Sequence, residues 1–119
     1  MATTRTVGTA DLKRAIETRD GKALADFYNA DAVIHIIDRN NPPSKPLDIR
    51  GQTAIAAYWD DVCGREMTHT VEAAIAEGDR LAFTENCAYP DGTKVVCTAL
   101  IDLKDGKIAK QTTVQVWDE

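Results

Sequence analysis

The sequence predicts an α+β fold, three N-terminal helices packed on a curved, mainly antiparallel sheet. Two observations carry this expectation. Residues 68–118 read as four consecutive strands parted by turn signals at Glu77-Gly78-Asp79-Arg80, Pro90-Asp91-Gly92-Thr93 and Lys104-Asp105-Gly106-Lys107. Glycine supplies the positive φ such turns need, and a neighbouring Asp bonds its own backbone. The runs between are rich in Val, Ile, Leu, Phe and Thr, as half-buried strands are. The first half instead shows helical spacing of apolar residues in three places. Helices that precede an antiparallel sheet must cover one of its faces, so the sheet is expected to curl around them as a cone with one open end.

Residues 1–8 read as a loose arm. Thr9-Ala10-Asp11 opens the first helix, with Thr9 as N-cap and Asp11 suited to the positive end of the dipole. Leu12, Ala15 and Ile16 form its stripe, and Gly21 ends it. A second helix begins near Lys22, carries Leu24, Phe27 and Tyr28, and stops at Asn29-Ala30-Asp31. Val33-Ile34-His35-Ile36-Ile37 is a strand, apolar enough to be covered on both faces. Asp38 to Pro46, with three prolines, is a loop. Leu47 to Arg50 is a short extended stretch. Gly51 begins the third helix, where Ile55, Tyr58, Trp59 and Val62 share one face, and Gly64 ends it.

Composition excludes several functions. The chain has 119 residues, enough for one domain with a single core. A net charge of −5 argues against nucleic acid, which asks for a basic patch. No apolar run approaches the roughly 20 residues that span a membrane. Residues 1–7 lack the apolar centre of a signal peptide, so the expected compartment is the cytoplasm. The three cysteines, Cys63, Cys87 and Cys97, are then expected as thiols. Cys87 and Cys97 flank one turn, and a three-residue loop would set them face to face. Three cysteines and two histidines show no metal-site spacing, so no metal and no cofactor is expected.

Several stretches carry a family resemblance. They are Asp20-Gly21-Lys22-Ala23-Leu24-Ala25-Asp26-Phe27-Tyr28 with Asp31-Ala32-Val33, and Ile49-Arg50-Gly51-Gln52-Thr53-Ala54-Ile55. Ala76-Glu77-Gly78-Asp79-Arg80-Leu81-Ala82 and Leu103-Lys104-Asp105-Gly106-Lys107-Ile108 complete the set. In order and spacing the chain resembles the nuclear transport factor 2-like superfamily, in particular its SnoaL-like polyketide cyclase and ketosteroid isomerase branch. The resemblance implies a cone-shaped, cystatin-like roll with a deep apolar pocket and a homodimer through the outer sheet face. Members include isomerases, cyclases, epoxide hydrolases, dehydratases and proteins with no known reaction. SnoaL-like cyclases carry a His-Trp-Asp run after the Asp-Gly-Lys-Ile turn, whose Asp is the acid/base. Gln111-Thr112-Thr113 stands here instead, and no Tyr-plus-two-Asp set matches ketosteroid isomerase.

Among candidate site residues, Glu85 is the most informative. Strand alternation puts Leu81, Phe83, Glu85, Cys87 and Tyr89 on one apolar face. A carboxylate there faces a cavity as an acid/base, or it sits salt-bridged at a dimer contact. His35, inside an apolar strand, either exchanges a proton with a ligand or is a core residue. His69 begins a strand and is expected near an exposed end. Tyr28 and Trp59 lie on helix stripes that line such a pocket or fill it. Phe83 and Cys87 share the face of Glu85. Thr113 and Gln115 offer hydrogen bonds to a ligand without titrating. Three functions follow. One is a cofactor-independent isomerase, dehydratase or hydrolase acting on an apolar or aromatic oxygenated metabolite, with Glu85 as acid/base together with His35 or a water. The others are a non-catalytic binding protein with the same pocket and a dimeric interaction module.

Overall fold

The computed structural model describes residues 6–118. Its elements run α1 (Thr9–Glu17), α2 (Gly21–Asp26), β1 (Tyr28–Ile37), β2 (Leu47–Arg50), α3 (Gln52–Gly64), β3 (Thr68–Glu77), β4 (Arg80–Ala88), β5 (Lys94–Lys104) and β6 (Lys107–Trp117). The α+β class is therefore the one the sequence predicts. All six strands join one sheet in the order β2-β1-β6-β5-β4-β3. Every pairing is antiparallel except β1 with β6. No helix among the described residues is long and apolar enough to cross a membrane.

The local chemistry explains the boundaries. The cap of α1 is Gly8, one residue before the expected Thr9, and its N–H donates to the Asp11 carboxylate at 2.9 Å. Gly21 does not end α1. It opens α2, whose N-cap Asp20 accepts from the Ala23 N–H at 3.1 Å. A β-carbon at Gly21 would lie 3.2 Å from the Trp59 carbonyl oxygen, so glycine lets α2 approach α3. Gly51 has φ 84 and caps α3 in a conformation that costs other residues strain. Asp105 and Gly106, both left-handed, make the two-residue turn between β5 and β6. Residues 1–5 of the expected arm lie outside the described residues. Val7 is not loose: it is buried, and its N–H donates to the Gly106 carbonyl at 2.8 Å.

Two expectations about the first half change. Tyr28 leaves the helix and begins β1, because α2 ends at Asp26 and Phe27 caps it. β1 is covered on one face only. Tyr28, Ala32, Ile34 and Ile36 are buried, while Val33, His35 and Ile37 are half-exposed on the other side. A run of five apolar-framed residues carries no alternation from which to read the phase.

The main core collects Leu12 and Ile16 of α1, Leu24 of α2, Ile55 and Trp59 of α3, and inward strand residues such as Ile34, Leu81, Ile101 and Ile108. A smaller cluster of Met67, Cys87, Val95 and Cys97 lies at the other end, flanked by Tyr89 and Trp117. A buried hydrogen-bond chain runs through the helix–sheet seam. The Trp59 indole donates to the Tyr28 hydroxyl (3.3 Å), that hydroxyl donates to Gln111 Oε1, and Gln111 donates to Thr113 Oγ1 (3.0 Å). β3 is an edge strand, and α1 covers it. Glu17 accepts from the Val71 N–H at 2.9 Å, and Lys13 donates to the Val71 carbonyl at 3.2 Å.

Removing one link of the chain strands its neighbours. Tyr28→Phe takes away the donor to Gln111 and the acceptor for Trp59 at fully buried positions. The expected cost is ~1–3 kcal/mol, read as a fall in melting temperature of roughly 3–10 °C with the fold retained. An unchanged melting temperature contradicts the chain's contribution.

Candidate functional site

The site lies between the two apolar clusters. Strand alternation brings Phe83, Glu85 and Cys87 of β4 to the inner face, opposite Ala99, Cys97 and Val95 of β5. Trp59, Tyr58 and Val62 of α3 close over them, and Gln111, Thr113 and Gln115 of β6 complete the wall. The cavity these residues enclose has a volume of about 60 Å³. That is room for a few water-sized atoms, well below the ~300–1,000 Å³ of drug-sized pockets.

Glu85 stands in this wall, with its side chain 10% exposed. Its partner is His69, not His35. The His69 Nδ1 lies 2.8 Å from Glu85 Oε1, and its side chain is 4% exposed. The Cys87 thiol donates to the same oxygen at 3.0 Å, and His69 Nδ1 lies 3.1 Å from Cys87 Sγ. Among the described residues, these three form the group whose ligating atoms come close enough to share a metal ion. Linear spacing of cysteine and histidine did not signal it, since the ligating atoms belong to different strands. His69 Nε2 is the one buried side-chain nitrogen or oxygen without a hydrogen-bond partner among the described residues.

A β-bulge positions His69. Toward the hairpin turn, Ala74 faces Phe83 and Ala73 faces Thr84; beyond Glu72 the register shifts, so that Val71 faces Glu85 and His69 faces Cys87. An uninterrupted ladder from the Glu77–Arg80 pair would set Ala88 opposite His69 and turn the imidazole to the outer face. The extra residue in β3 reverses the phase of everything before it. The sequence, in which His69 begins a strand and is expected near an exposed end, gives no sign of this bulge.

The other candidates divide. Trp59, Phe83, Cys87, Thr113 and Gln115 all line the cavity. Tyr28 does not; it backs the wall through Gln111, and burial pushes its phenol well above the ordinary value. His35 does not reach the site either. It lies on the opposite face of β1, where its Nδ1 contacts Asp48, its cross-strand partner in β2. The two cysteines are not face to face, because the loop between β4 and β5 pairs Ala88 with Lys94. Cys87 therefore faces Val95 and Cys97 faces Glu85, and all three cysteines are free thiols.

The electrostatics follow from contact. Burial alone lowers the affinity of His69 for a proton, but hydrogen bonds with Cys87 and Glu85 outweigh it and raise its pKa to about 9. Contact with Cys97 and burial push the Cys87 thiol well above its ordinary range, so it stays protonated near neutral pH. A folded-state pKa above the unfolded 6.5 stabilises the fold below about pH 6.5 and loses that contribution as pH rises through about 9. Stability of the wild type should fall across this window by up to ~3 kcal/mol from this group, and His69→Gln should flatten the slope. A titration of the His69 ring followed by NMR, with a midpoint at or below 6.5, contradicts the pairing.

Comparison with known proteins agrees with this architecture. A family model described as a SnoaL-like domain matches residues 10–111. No curated protein matches the chain significantly. Solved structures with the same fold include an NTF2-like protein of unknown function from Mesorhizobium loti, 20% identical, with a TM-score of 0.75 over 87% of this chain and 84% of that one. A provisional ketosteroid isomerase from Kribbella flavida is 17% identical, with a TM-score of 0.73 over 92% and 74%. A protein from Silicibacter pomeroyi, described as having a cystatin-like fold, is 18% identical, with a TM-score of 0.70 over 89% and 71%. At these identities the structures speak for the fold alone, whereas the family match spans most of the sequence: the chain belongs to the SnoaL-like domain family.

Proposed function

We propose that this protein binds a small, mainly apolar molecule carrying an oxygen function and moves a proton on it with the Glu85–His69 pair. The observation that carries this reading is the hydrogen bond between these two side chains in the wall of a cavity, with His69 Nε2 left unpartnered. A charged pair held among Phe83, Val95, Cys97 and Met67 is costly unless it is used or tightly compensated. One buried carboxylate and one imidazole supply both halves of acid/base chemistry, as isomerisation or dehydration requires. Thr113 and Gln115 orient the ligand's oxygen, and Trp59 and Phe83 hold its carbon frame. The cavity volume favours short carbonyl or hydroxy compounds over polycyclic ones. Three free thiols, two of them buried, suit a reducing compartment such as the cytoplasm.

We also propose that two copies associate through the outer sheet face. Val96 and Val116 are cross-strand partners there, beside Val114 and Leu100, and all four are exposed. Adjacent apolar side chains on the middle strands of a sheet mark an interaction surface.

Proton transfer is tested by incorporation of solvent deuterium next to the carbonyl of short ketones and aldehydes, followed by NMR. The wild type should speed exchange of at least one compound, and Glu85→Gln should lose ~10²–10⁴-fold of that rate. Compounds that raise the melting temperature yet exchange no faster than in buffer leave a binding protein rather than an enzyme. For the assembly, sedimentation velocity should show a dimer that Val116→Lys converts to monomer. A monomeric wild type refutes the proposed interface.

A further inference from the structure

His69, Glu85 and Cys87 bring three atoms able to ligate a metal into one buried cluster. Oε1 of Glu85 accepts from both Nδ1 and Sγ, at 2.8 and 3.0 Å. The third side of the triangle, Nδ1 to Sγ, is 3.1 Å. The carboxylate oxygen and the sulfur both lie within hydrogen-bond distance of the one ring nitrogen, so the three atoms converge on a common point. Once the thiol and Nδ1 protons leave, these atoms present three converging lone pairs, as a shared cation asks. At bond lengths of about 2.0 Å to nitrogen, 2.1 Å to oxygen and 2.3 Å to sulfur, a cation capping this triangle sees each pair of donors at roughly 90°. That is one face of an octahedron, and a spread of a few tenths of an ångström brings it toward the tetrahedral angle.

Other features support a built seat. All three side chains are buried. They stand on paired strands, His69 opposite Cys87 and Glu85 the next inward residue of β4. Imidazole, thiolate and carboxylate together form a donor set of borderline softness, which selects zinc-like ions over magnesium or calcium. One thiolate and one carboxylate cancel a 2+ charge, so the occupied centre places no net charge among Met67, Phe83 and Val95.

We infer that His69, Glu85 and Cys87 form a binding site for a divalent transition cation of the zinc type. Binding replaces the thiol proton and the Nδ1 proton with metal–sulfur and metal–nitrogen bonds, and at least the thiol proton leaves to solvent, so affinity rises with pH. The inference does not depend on the acid/base reading. A cation takes the same Oε1 and Nδ1 that the proton pair uses, so the metal-loaded and proton-transferring forms exclude each other.

Co²⁺ is the probe, because a cobalt–thiolate bond gives a charge-transfer band in the near ultraviolet. Chelator-treated full-length protein titrated with Co²⁺ should develop this band at one ion per chain, and Zn²⁺ should bleach it. Cys87→Ala should abolish the band, Cys63→Ala should keep it, and His69→Gln should weaken binding by at least about tenfold. Circular dichroism of each variant confirms that it is folded. Zn²⁺ should also raise the melting temperature of the wild type and not that of Cys87→Ala. No band at saturating Co²⁺, or a band that survives Cys87→Ala, overturns the site. Deuterium exchange reports separately on proton transfer, so the two readings fail independently.

Discussion

The buried chain from Trp59 through Tyr28 and Gln111 to Thr113 constrains the rest of the molecule. Polar groups taken out of water must find partners, and here each satisfies the next across three elements. The chain fixes how far α3 stands from β1 and β6, and so how wide the space beneath α3 can be. On one side of it lies the main core, filled by Leu24, Ile34, Ile55, Ile101 and Ile108. On the other side Tyr58, Trp59 and Val62 line the cavity, and the smaller cluster around Met67, Val95 and Cys97 lies at the far end. The cavity is the gap between two packed regions whose spacing a hydrogen-bond chain maintains.

Much of this was legible in the sequence, and the failures have a common cause. Glycine turns announced the meander, and the alternation of Leu81, Phe83, Glu85 and Cys87 put the carboxylate on one apolar face while leaving open whether that face met a cavity or a dimer contact. Ile55 and Trp59 announced the buried side of α3. Phase was lost wherever alternation broke. In β1 the residues on both sides of His35 are apolar, so nothing told which side faced inward, and the structure turns His35 outward to Asp48. In β3 the bulge at Glu72 sets the phase that brings His69 inward, whereas its place at the start of the strand suggests an exposed end. Tyr28 was misplaced for a different reason: the apolar stripe of α2 runs without a break into β1. Side-chain chemistry was readable from the residues, but facing was readable only where the period was intact.

Glu85 illustrates how one arrangement of atoms suits more than one proposed chemistry. Its Oε1 is a hydrogen-bond acceptor for two neighbours at once, which holds the carboxylate in one orientation. A proton shared with His69 and a cation shared with His69 and Cys87 make the same demand for convergent lone pairs in an apolar wall. The position of His69, set by one extra residue in an adjacent strand, is what brings either chemistry within reach.

The cover over β3 has a consequence for how copies of this chain can meet. An edge strand offers its free backbone groups to any passing strand, and sheets that leave one bare polymerise edge to edge. Here Glu17 and Lys13, one turn apart on α1, occupy the N–H and C=O of Val71 at the middle of that edge. A foreign strand would have to strip both side chains from the backbone before it could add a rung. Two charged residues on the first helix thus guard the middle of this edge against the addition of a foreign strand.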